Sequence, residues 1–384
     1  MSILVPLLLA CSGLPDLAPV EEAPPRLPGP ADPLPAGVVR LDDTLEAIRA
    51  EHGVPAMGAV IVDHEGIRAV GVAGWVHSGA DAAPVVDTSP WHIGSNGKAL
   101  TAMALARLVD RGTLSFDDTV GQRLPDLPMH ADWQAVTLAQ LLHHTGSVPA
   151  NTGRIQAFQL QREPSVTRPR AARLAALQAS LEDEPAFPPG GTFMYSNLGY
   201  ALAGAMAEAA TDTPWESLIA QEVLEPLSLT TVGFGAPTGD TAPWGHSFLG
   251  AVPPGPTADN PPAMSPAGTL HLALVDQARV LQAHLTRGET APGYLSADSW
   301  ARLHAPGPND YAMGWIQVER DWSGGPFLTH DGSNTMWYAR AVVAPGIDRA
   351  LVVVTNQGPP SGQAAVQEAE KQLRTLALES PPTE

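Results

Sequence analysis

Apolar positions near the start of the chain repeat with the period of a helix. The apolar residues at 38, 41, 45 and 48 share one side of a helix, and a glycine followed by a proline ends the pattern. The spacing predicts an amphipathic helix over residues 38–52. A second helical pattern, with a stripe of alanine and leucine, predicts a closing helix over residues 363–378.

Short apolar runs bounded by turn residues predict strands near both ends of the chain. His64 to Gly66 form the turn between the first two runs, and Pro345-Gly346 form a turn between the last two. The predicted strands cover residues 56–62, 67–72, 314–318, 326–330, 337–344 and 349–355.

Between about residues 95 and 285, the sequence shows helical patterns separated by loops rich in proline and glycine. Strands at the two ends with helices between them predict an α+β fold. The short connections within each set of strands favour antiparallel pairing. We therefore expect an antiparallel sheet built from both chain ends and flanked by helices, with a helical region inserted into it.

Composition narrows the possible functions. The 384 residues carry a formal net charge of −19, which disfavours binding to nucleic acid through repulsion of its phosphates. Among the 21 basic residues only Lys98 and Lys371 are lysines. A chain that uses arginine for nearly every cation has a chemical reason for a lysine where an amine must lose its proton.

The N-terminus ends a short apolar run at Leu8-Leu9-Ala10-Cys11, which resembles the lipobox of bacterial lipoprotein signal peptides. Proline, alanine and acidic residues dominate the chain from there to Gly37, a composition typical of an extended tether. These segments predict a signal segment at 1–11 and a tether at 12–37. They also predict an exported protein that a lipid on Cys11 holds on the bacterial cell envelope, in the periplasm or at the outer membrane. The alternative is a buried cysteine in a frayed terminus.

The strongest chemical signal is the pair Ser95 and Lys98 at the start of a helical pattern. Residues three apart at a helix start face the same side, within hydrogen-bond reach. A serine hydroxyl needs a base to become a nucleophile, and a lysine whose pKa is lowered by burial can serve. Alone, S-x-x-K also fits a helix cap followed by a solvated lysine.

Two further motifs follow in order, Tyr195-Ser196-Asn197 and His330-Asp331-Gly332. With S-x-x-K, Y-x-N and then K- or H-x-G, the sequence resembles the serine β-lactamase and penicillin-recognising superfamily, in its class C β-lactamase and D-Ala-D-Ala carboxypeptidase branch. The resemblance covers residues 38 to 358, including Leu141 to Gly146, and implies one catalytic domain over residues 38–384.

The resemblance implies a role for each motif residue. Ser95 is the expected nucleophile, Lys98 its base, and Tyr195 the relay of a proton to the leaving group. Asn197 is expected to bind a substrate amide or carbonyl. The backbone N–H groups of Ser95 and Ser333 are expected to form the oxyanion hole, and Gly332 to permit close backbone approach.

The third motif departs from the β-lactamase pattern. His330 replaces the usual lysine and resembles the peptidase and esterase members, and Asp331 replaces a threonine or serine that binds a substrate carboxylate. An ionised Asp331 facing the site would repel a carboxylate, which predicts a neutral or cationic substrate and weak β-lactamase activity.

The sequence thus predicts a serine hydrolase that cleaves an ester or amide of a small molecule or peptide through an acyl-enzyme. A D,D-carboxypeptidase or D-aminopeptidase, a weak β-lactamase and a catalytically silent binding protein of the same fold remain as alternatives. No cofactor is expected, and a metal site at His143-His144 is disfavoured because that segment matches a turn of the family. The oligomeric state stays open.

Overall fold

The computed structural model describes residues 37–152 and 169–379. The predicted signal segment with Cys11, and all of the predicted tether except Gly37, lie outside these ranges, so those assignments stay predictions. In chain order, strands β1 to β13 are Val39–Arg40, Ala56–Asp63, Gly66–Gly74, Trp91–His92, Gly233–Phe234, Gly245–Ser247, Gly250–Val252, Leu270–Leu272, Tyr311–Ala312, Trp315–Val318, Phe327–Ser333, Tyr338–Ala344 and Arg349–Thr355.

The helices lie mainly between the two groups of long strands. In chain order, α1 to α11 are Asp42–His52, Gly97–Asp110, Val120–Arg123, Leu138–Leu142, Pro169–Leu181, Asn197–Thr211, Trp215–Ile219, Ser265–Gly268, Leu274–Leu285, Ala297–His304 and Ser361–Glu379. A π-helical turn, Ala220–Leu224, extends α7.

Within the described ranges, eight strands form one sheet in the order β1-β3-β2-β13-β12-β11-β10-β9. The N-terminal strand β2 pairs antiparallel with the C-terminal strand β13, with Val60 opposite Val352. The other pairs are also antiparallel, except that β1 lies parallel to β3. The structure confirms the predicted α+β fold, with its sheet built from both chain ends.

The first predicted helix begins later than the sequence pattern indicates. Val39 and Arg40 lie opposite Ala69 and Val70 in a parallel ladder, so their backbone is extended. The helix begins at Asp42, where the carboxylates of its first turn suit the positive end of the helix dipole. The prediction of a helix over 38–52 is therefore wrong for its first four residues.

The two faces of the sheet are covered by different helices because side chains alternate along a strand. On β2, Met57, Ala59 and Ile61 pack with residues of α1 and α11. Val60 and Val62 point the other way and pack with residues of α9. All eight positions of β2 are buried, which makes this strand the centre of the fold.

The inserted region has its own apolar core, to which α2, α4, α5 and α6 all contribute. It also contains a small β4-β8-β5 sheet and the β6–β7 hairpin, which the sequence analysis did not predict. In the described residues, no helix combines the length and apolarity that crossing a membrane requires. The insertion meets the large sheet where α2 starts beside β11, and the candidate residues converge there.

Candidate active site

Ser95 lies on a tight turn between the short strand β4 and the long helix α2. The turn is a 3₁₀ segment, Gly94–Asn96, that runs directly into the first residue of α2, Gly97. The amides at the start of a helical segment have no partner within the helix and carry a partial positive charge. Ser95 is half-buried, so it lies at the boundary between the protein interior and solvent.

Strand β11 packs backbone against backbone on this turn. A Cβ atom at Gly332 would overlap the carbonyl oxygen of Ile93, and one at Gly94 would overlap the backbone nitrogen of Ser333. Gly94 also has a φ of +51°, a conformation that favours glycine. Both glycines are therefore needed to bring the Ser333 amide next to the turn that carries Ser95.

Lys98 is fully buried, with an exposed fraction of 0%, and its amine contacts three oxygen atoms. Its Nζ lies 3.0 Å from Oγ of Ser95, 2.7 Å from Oδ1 of Asn197 and 2.7 Å from the carbonyl oxygen of Ala267. None of these oxygens carries a formal charge. Burial without a carboxylate partner lowers the pKa of Lys98 well below its ordinary value.

The three contacts determine where the lone pair of a neutral Lys98 amine lies. The carbonyl oxygens of Asn197 and Ala267 can only accept, so they take the two hydrogens of a neutral amine. The remaining position on Nζ, which is the lone pair, faces the Ser95 hydroxyl. The site therefore holds a base aimed at the proton of the candidate nucleophile.

Tyr195 contacts the same serine from a second side. Its hydroxyl shares a hydrogen bond with the Ser95 side chain, and burial raises the pKa of Tyr195 above its ordinary value. The Nζ of Lys98 lies 4.9 Å from the centre of the tyrosine ring. The resting tyrosine is thus a neutral phenol with a proton to give, rather than a phenolate.

Asn197 connects the second motif to Lys98. Ser196 caps helix α6 by accepting a hydrogen bond from the backbone N–H of Gly199, and this places Asn197 in the first helical turn. Its Nδ2 donates to Oδ1 of Asn151 at 2.7 Å, while its Oδ1 accepts from Lys98. Asn197 therefore orients the lysine, and its predicted contact with substrate stays a prediction.

His144 contributes to the site in a way that the sequence analysis missed. Its backbone oxygen accepts from the N–H of Met194, and its Nδ1 accepts from the N–H of Ser196. Its ring centre lies 4.3 Å from that of Tyr195. Burial, with a smaller contribution from the charge of Lys98, lowers the pKa of His144 to about 2. The neutral His144 therefore holds the residues on both sides of Tyr195 through hydrogen bonds.

His330 lies on the site face of β11 and is 4% exposed. Its Nε2 lies 3.2 Å from the hydroxyl of Tyr311, and its ring stacks on that of Tyr195 with the centres 6.2 Å apart. Burial, reinforced by Lys98, lowers the pKa of His330 to about 3. The imidazole is therefore neutral at physiological pH and brings no positive charge to the site.

Asp331 points away from the site, contrary to the prediction that it faces the substrate. Neighbouring residues of a strand point to opposite faces, and Asp331 lies on the same face as Phe327, which packs with α11. Its carboxylate accepts two hydrogen bonds from Nη1 of Arg340, at 2.9 and 3.1 Å. The argument that Asp331 repels a substrate carboxylate is therefore wrong.

Apart from Asp331, the motif residues predicted from the sequence come together within the described chain. The side chains of Ser95, Lys98, Tyr195 and Asn197 form one connected cluster. His330 lies against this cluster, and the Ser333 amide lies beside the serine turn. Over residues 37–152 and 169–379, no group of three or more histidine, cysteine, aspartate or glutamate side chains is arranged to hold a metal ion.

Comparisons with known proteins place this geometry in a family. The family model described as Beta-lactamase matches residues 41–375. Penicillin-binding protein 4 of Amycolatopsis lactamdurans is 30% identical over 342 residues, which cover 82% of this chain and 84% of that protein.

Two solved structures share the fold. The octameric penicillin-binding protein homologue from Pyrococcus abyssi has a TM-score of 0.68 and 22% identity, covering 86% of this chain and 77% of the other. A D-stereospecific amidohydrolase from Streptomyces sp. has a TM-score of 0.67 and 23% identity, and the match covers 85% of this chain and 96% of the other. The matched family model and the identity over most of the chain show that this protein belongs to the Beta-lactamase family of serine hydrolases.

Proposed function

We propose that the protein hydrolyses an ester or amide through an acyl-enzyme on Ser95. The observation that carries the proposal is the fully buried amine of Lys98, whose Nζ lies 3.0 Å from Oγ of Ser95. In the first step Oγ attacks the substrate carbonyl carbon, and the hydroxyl proton passes to Lys98. The oxyanion that forms accepts hydrogen bonds from the N–H groups of Ser95 and Ser333.

Tyr195 completes the first half of the reaction. Its neutral phenol is hydrogen-bonded to Ser95, so it gives its proton to the departing alcohol or amine as the bond to the carbonyl carbon breaks. The proton held by Lys98 restores the phenol. A water then attacks the acyl carbon and gives one proton to Lys98, and that proton passes to Oγ as the bond from the acyl carbon to Oγ breaks and the acid product leaves.

Active-site labelling distinguishes this enzyme from a silent binding protein with the same fold. Wild type is expected to gain the mass of one fluorophosphonate adduct, and Ser95→Ala is expected to gain none. Ser180→Ala is a matched control, because the Ser180 hydroxyl only donates to the carbonyl of Ala176 on helix α5. An unlabelled wild type, or equal labelling of Ser95→Ala, contradicts the proposal.

The site geometry also bears on the substrate. The neutral His330 stands where β-lactamases of this superfamily carry a lysine, so it offers no cation to a β-lactam carboxylate. We therefore expect p-nitrophenyl esters to turn over faster than nitrocefin. D-amino-acid p-nitroanilides belong in the same panel, because a D-stereospecific amidohydrolase is among the similar structures. Nitrocefin hydrolysis faster than ester hydrolysis would reverse this assignment.

We also propose that the enzyme acts at the bacterial cell envelope, held there by a lipid on Cys11. Support comes from the lipobox-like Leu8-Leu9-Ala10-Cys11 and from the proline-rich residues after it. Cells fed a palmitate probe should yield labelled wild type in the membrane fraction and unlabelled Cys11→Ala. A wild-type protein without label would reject the anchor and leave the chemistry at Ser95 untouched.

A further inference from the structure

A second group of buried polar side chains lies beside the proposed oxyanion hole, and the reaction described above does not use it. The group comprises His92, Asp259 and Asn334, which are 1%, 6% and 6% exposed. They come from three separate segments: strand β4, the loop after a 3₁₀ turn at Pro256–Ala258, and the turn that follows β11.

His92 forms the end of the group nearest the nucleophile. Its Nδ1 accepts a hydrogen bond of 3.1 Å from the backbone N–H of Gly94, the residue before Ser95. Its other ring nitrogen, Nε2, lies 2.9 Å from Oδ1 of Asp259 and so contacts that carboxylate. The ring also stacks on Trp337 with the centres 5.3 Å apart.

Asn334 forms the other end, directly after Ser333. Its Nδ2 donates to Oδ1 of Asp259 at 2.9 Å and to the carbonyl of Ala258 at 3.2 Å. Its Oδ1 accepts from the backbone N–H groups of Met336 and Trp337. The turn that positions the Ser333 amide is therefore attached to Asp259 through one side chain.

Asp259 joins the two ends at a single oxygen atom. Its Oδ1 lies within 2.9 Å of both His92 Nε2 and Asn334 Nδ2, and it accepts from the N–H of Asn260 at 2.7 Å. We propose that Asp259 is a positioning residue that holds the Ser95 and Ser333 amides in register as the two donors of one oxyanion hole. The proposal rests on the proposed acyl-enzyme at Ser95.

Amide hydrogen exchange on the full chain tests the link without using activity. Asp259→Leu removes, at similar size, the carboxylate that contacts both His92 and Asn334, so the amides of Gly94, Met336 and Trp337 should exchange at least about tenfold faster. Asp259→Asn keeps an acceptor and should restore most of the protection. Glu222→Gln is the control, because it changes another buried carboxylate, which pairs with Arg107 and Arg111 toward the far end of α2.

Faster exchange in only one of the two segments, or equally across the whole sheet, would overturn the link. His92→Asn adds a second check. Asparagine can place an acceptor near the position of Nδ1, but its shorter side chain cannot reach Asp259. The Gly94 amide should therefore lose protection because its acceptor is no longer held in place, whereas the amides of Met336 and Trp337 should keep theirs. Loss at both segments to the level of Asp259→Leu would show that His92, and not Asp259, is the shared connection.

A transition-state analogue tests the consequence for catalysis. An arylboronic acid bonds to Oγ of Ser95 and places a boron-bound oxygen in the oxyanion hole. In Asp259→Leu, its affinity and the kcat/KM for a p-nitrophenyl ester should fall by the same factor, about 10- to 100-fold, with KM nearly unchanged. Asp259→Asn should stay within about threefold of wild type.

The boronate and kinetic measurements distinguish a failure of the role of Asp259 from a failure of the proposed acyl-enzyme. Unchanged boronate affinity and kcat/KM in Asp259→Leu would overturn the role of Asp259 while leaving the acyl-enzyme in place. A wild type that forms no boronate adduct would instead defeat the proposed function, and the exchange result would still decide whether Asp259 connects the two segments.

Discussion

In the part of the chain that the structure describes, the basic side chains of Lys98 and Arg173 are both fully buried, and their surroundings differ. Lys98 contacts only uncharged oxygens, from Ser95, Asn197 and the backbone of Ala267. Arg173 donates to the carboxylate of Glu208 and, at 2.9 Å, to that of Glu216. Both side chains have an exposed fraction of 0%.

The difference in partners reverses the effect of burial on the pKa. Burial lowers the pKa of Lys98 with nothing to oppose it. Burial also acts to lower the pKa of Arg173, but Glu208 and Glu216 outweigh it and leave that pKa raised. The interior therefore keeps Arg173 permanently charged, which suits a structural ion pair. It leaves Lys98 free to exchange a proton, which suits a catalytic base.

Replacing the lysine should have the largest effect. Lys98→Met removes the base at similar length, so kcat/KM for an ester substrate should fall by about 10²- to 10⁴-fold. Lys371→Met is the matched control, since Lys371 is the other lysine and lies on the exposed side of α11. Steady-state kinetics of both variants decide the matter, and near-normal turnover in Lys98→Met would remove Lys98 from the mechanism.

Breaking the arginine cluster should act on stability instead. Arg173→Met leaves two buried carboxylates without their cation, which should lower the free energy of unfolding by about 3–5 kcal/mol. Urea denaturation measures this loss, and kcat of the folded fraction should stay close to wild type. A loss below about 1 kcal/mol would mean that the buried cluster is no more than a surface ion pair in energetic terms.

The pH dependence of stability should show the lowered pKa of Lys98 directly. Between that pKa and the ordinary value of 10.5, the unfolded chain holds a proton on this lysine that the folded chain lacks. Stability therefore rises with pH across this window, by up to about 1.4 kcal/mol per pH unit relative to Lys98→Met. Parallel denaturation curves at several pH values between 7 and 10 test this, and equal slopes for both proteins would contradict a neutral buried amine.

The smallest effect is expected at the exposed counterpart of the buried arginine cluster. The Asp331 side chain is 40% exposed where it pairs with Arg340, so Asp331→Asn should cost about 0–1 kcal/mol of stability. Because the carboxylate lies on the sheet face away from Ser95, kcat/KM should stay within about threefold for neutral and anionic substrates alike. A marked gain for anionic substrates alone would restore the idea that Asp331 faces the site.

The same contrast shows what sequence could reveal about the site. Lys98 stood out because lysine is rare in this chain and because a serine lies three residues before it. Arg173 is one of many arginines, and its partners lie 35 and 43 residues away in the chain, so no local pattern marks it. His144 was missed for the same reason, since its contacts with Met194 and Ser196 exist only after folding.

The fold followed a similar rule. Long strands such as β2 and β13 were predicted because apolar runs carry a clear signal, whereas β1, β4 and β5 have two residues each and carry no period. Asp331 is a different case. Strand alternation after an inward His330 would have predicted that Asp331 points outward, so that error came from following the motif rather than the geometry of the strand.

The pairing of β2 with β13 also affects how the chain folds during synthesis. The backbone N–H of Ala56 donates to Oδ1 of Asn356 at 2.8 Å, across 300 residues of sequence. At translation rates of about 5–20 residues per second, β2 waits about 15–60 s for its neighbour, with its apolar side chains and one edge uncovered. We therefore expect fragments lacking either end to leave an edge of this buried sheet unpaired and to aggregate rather than fold.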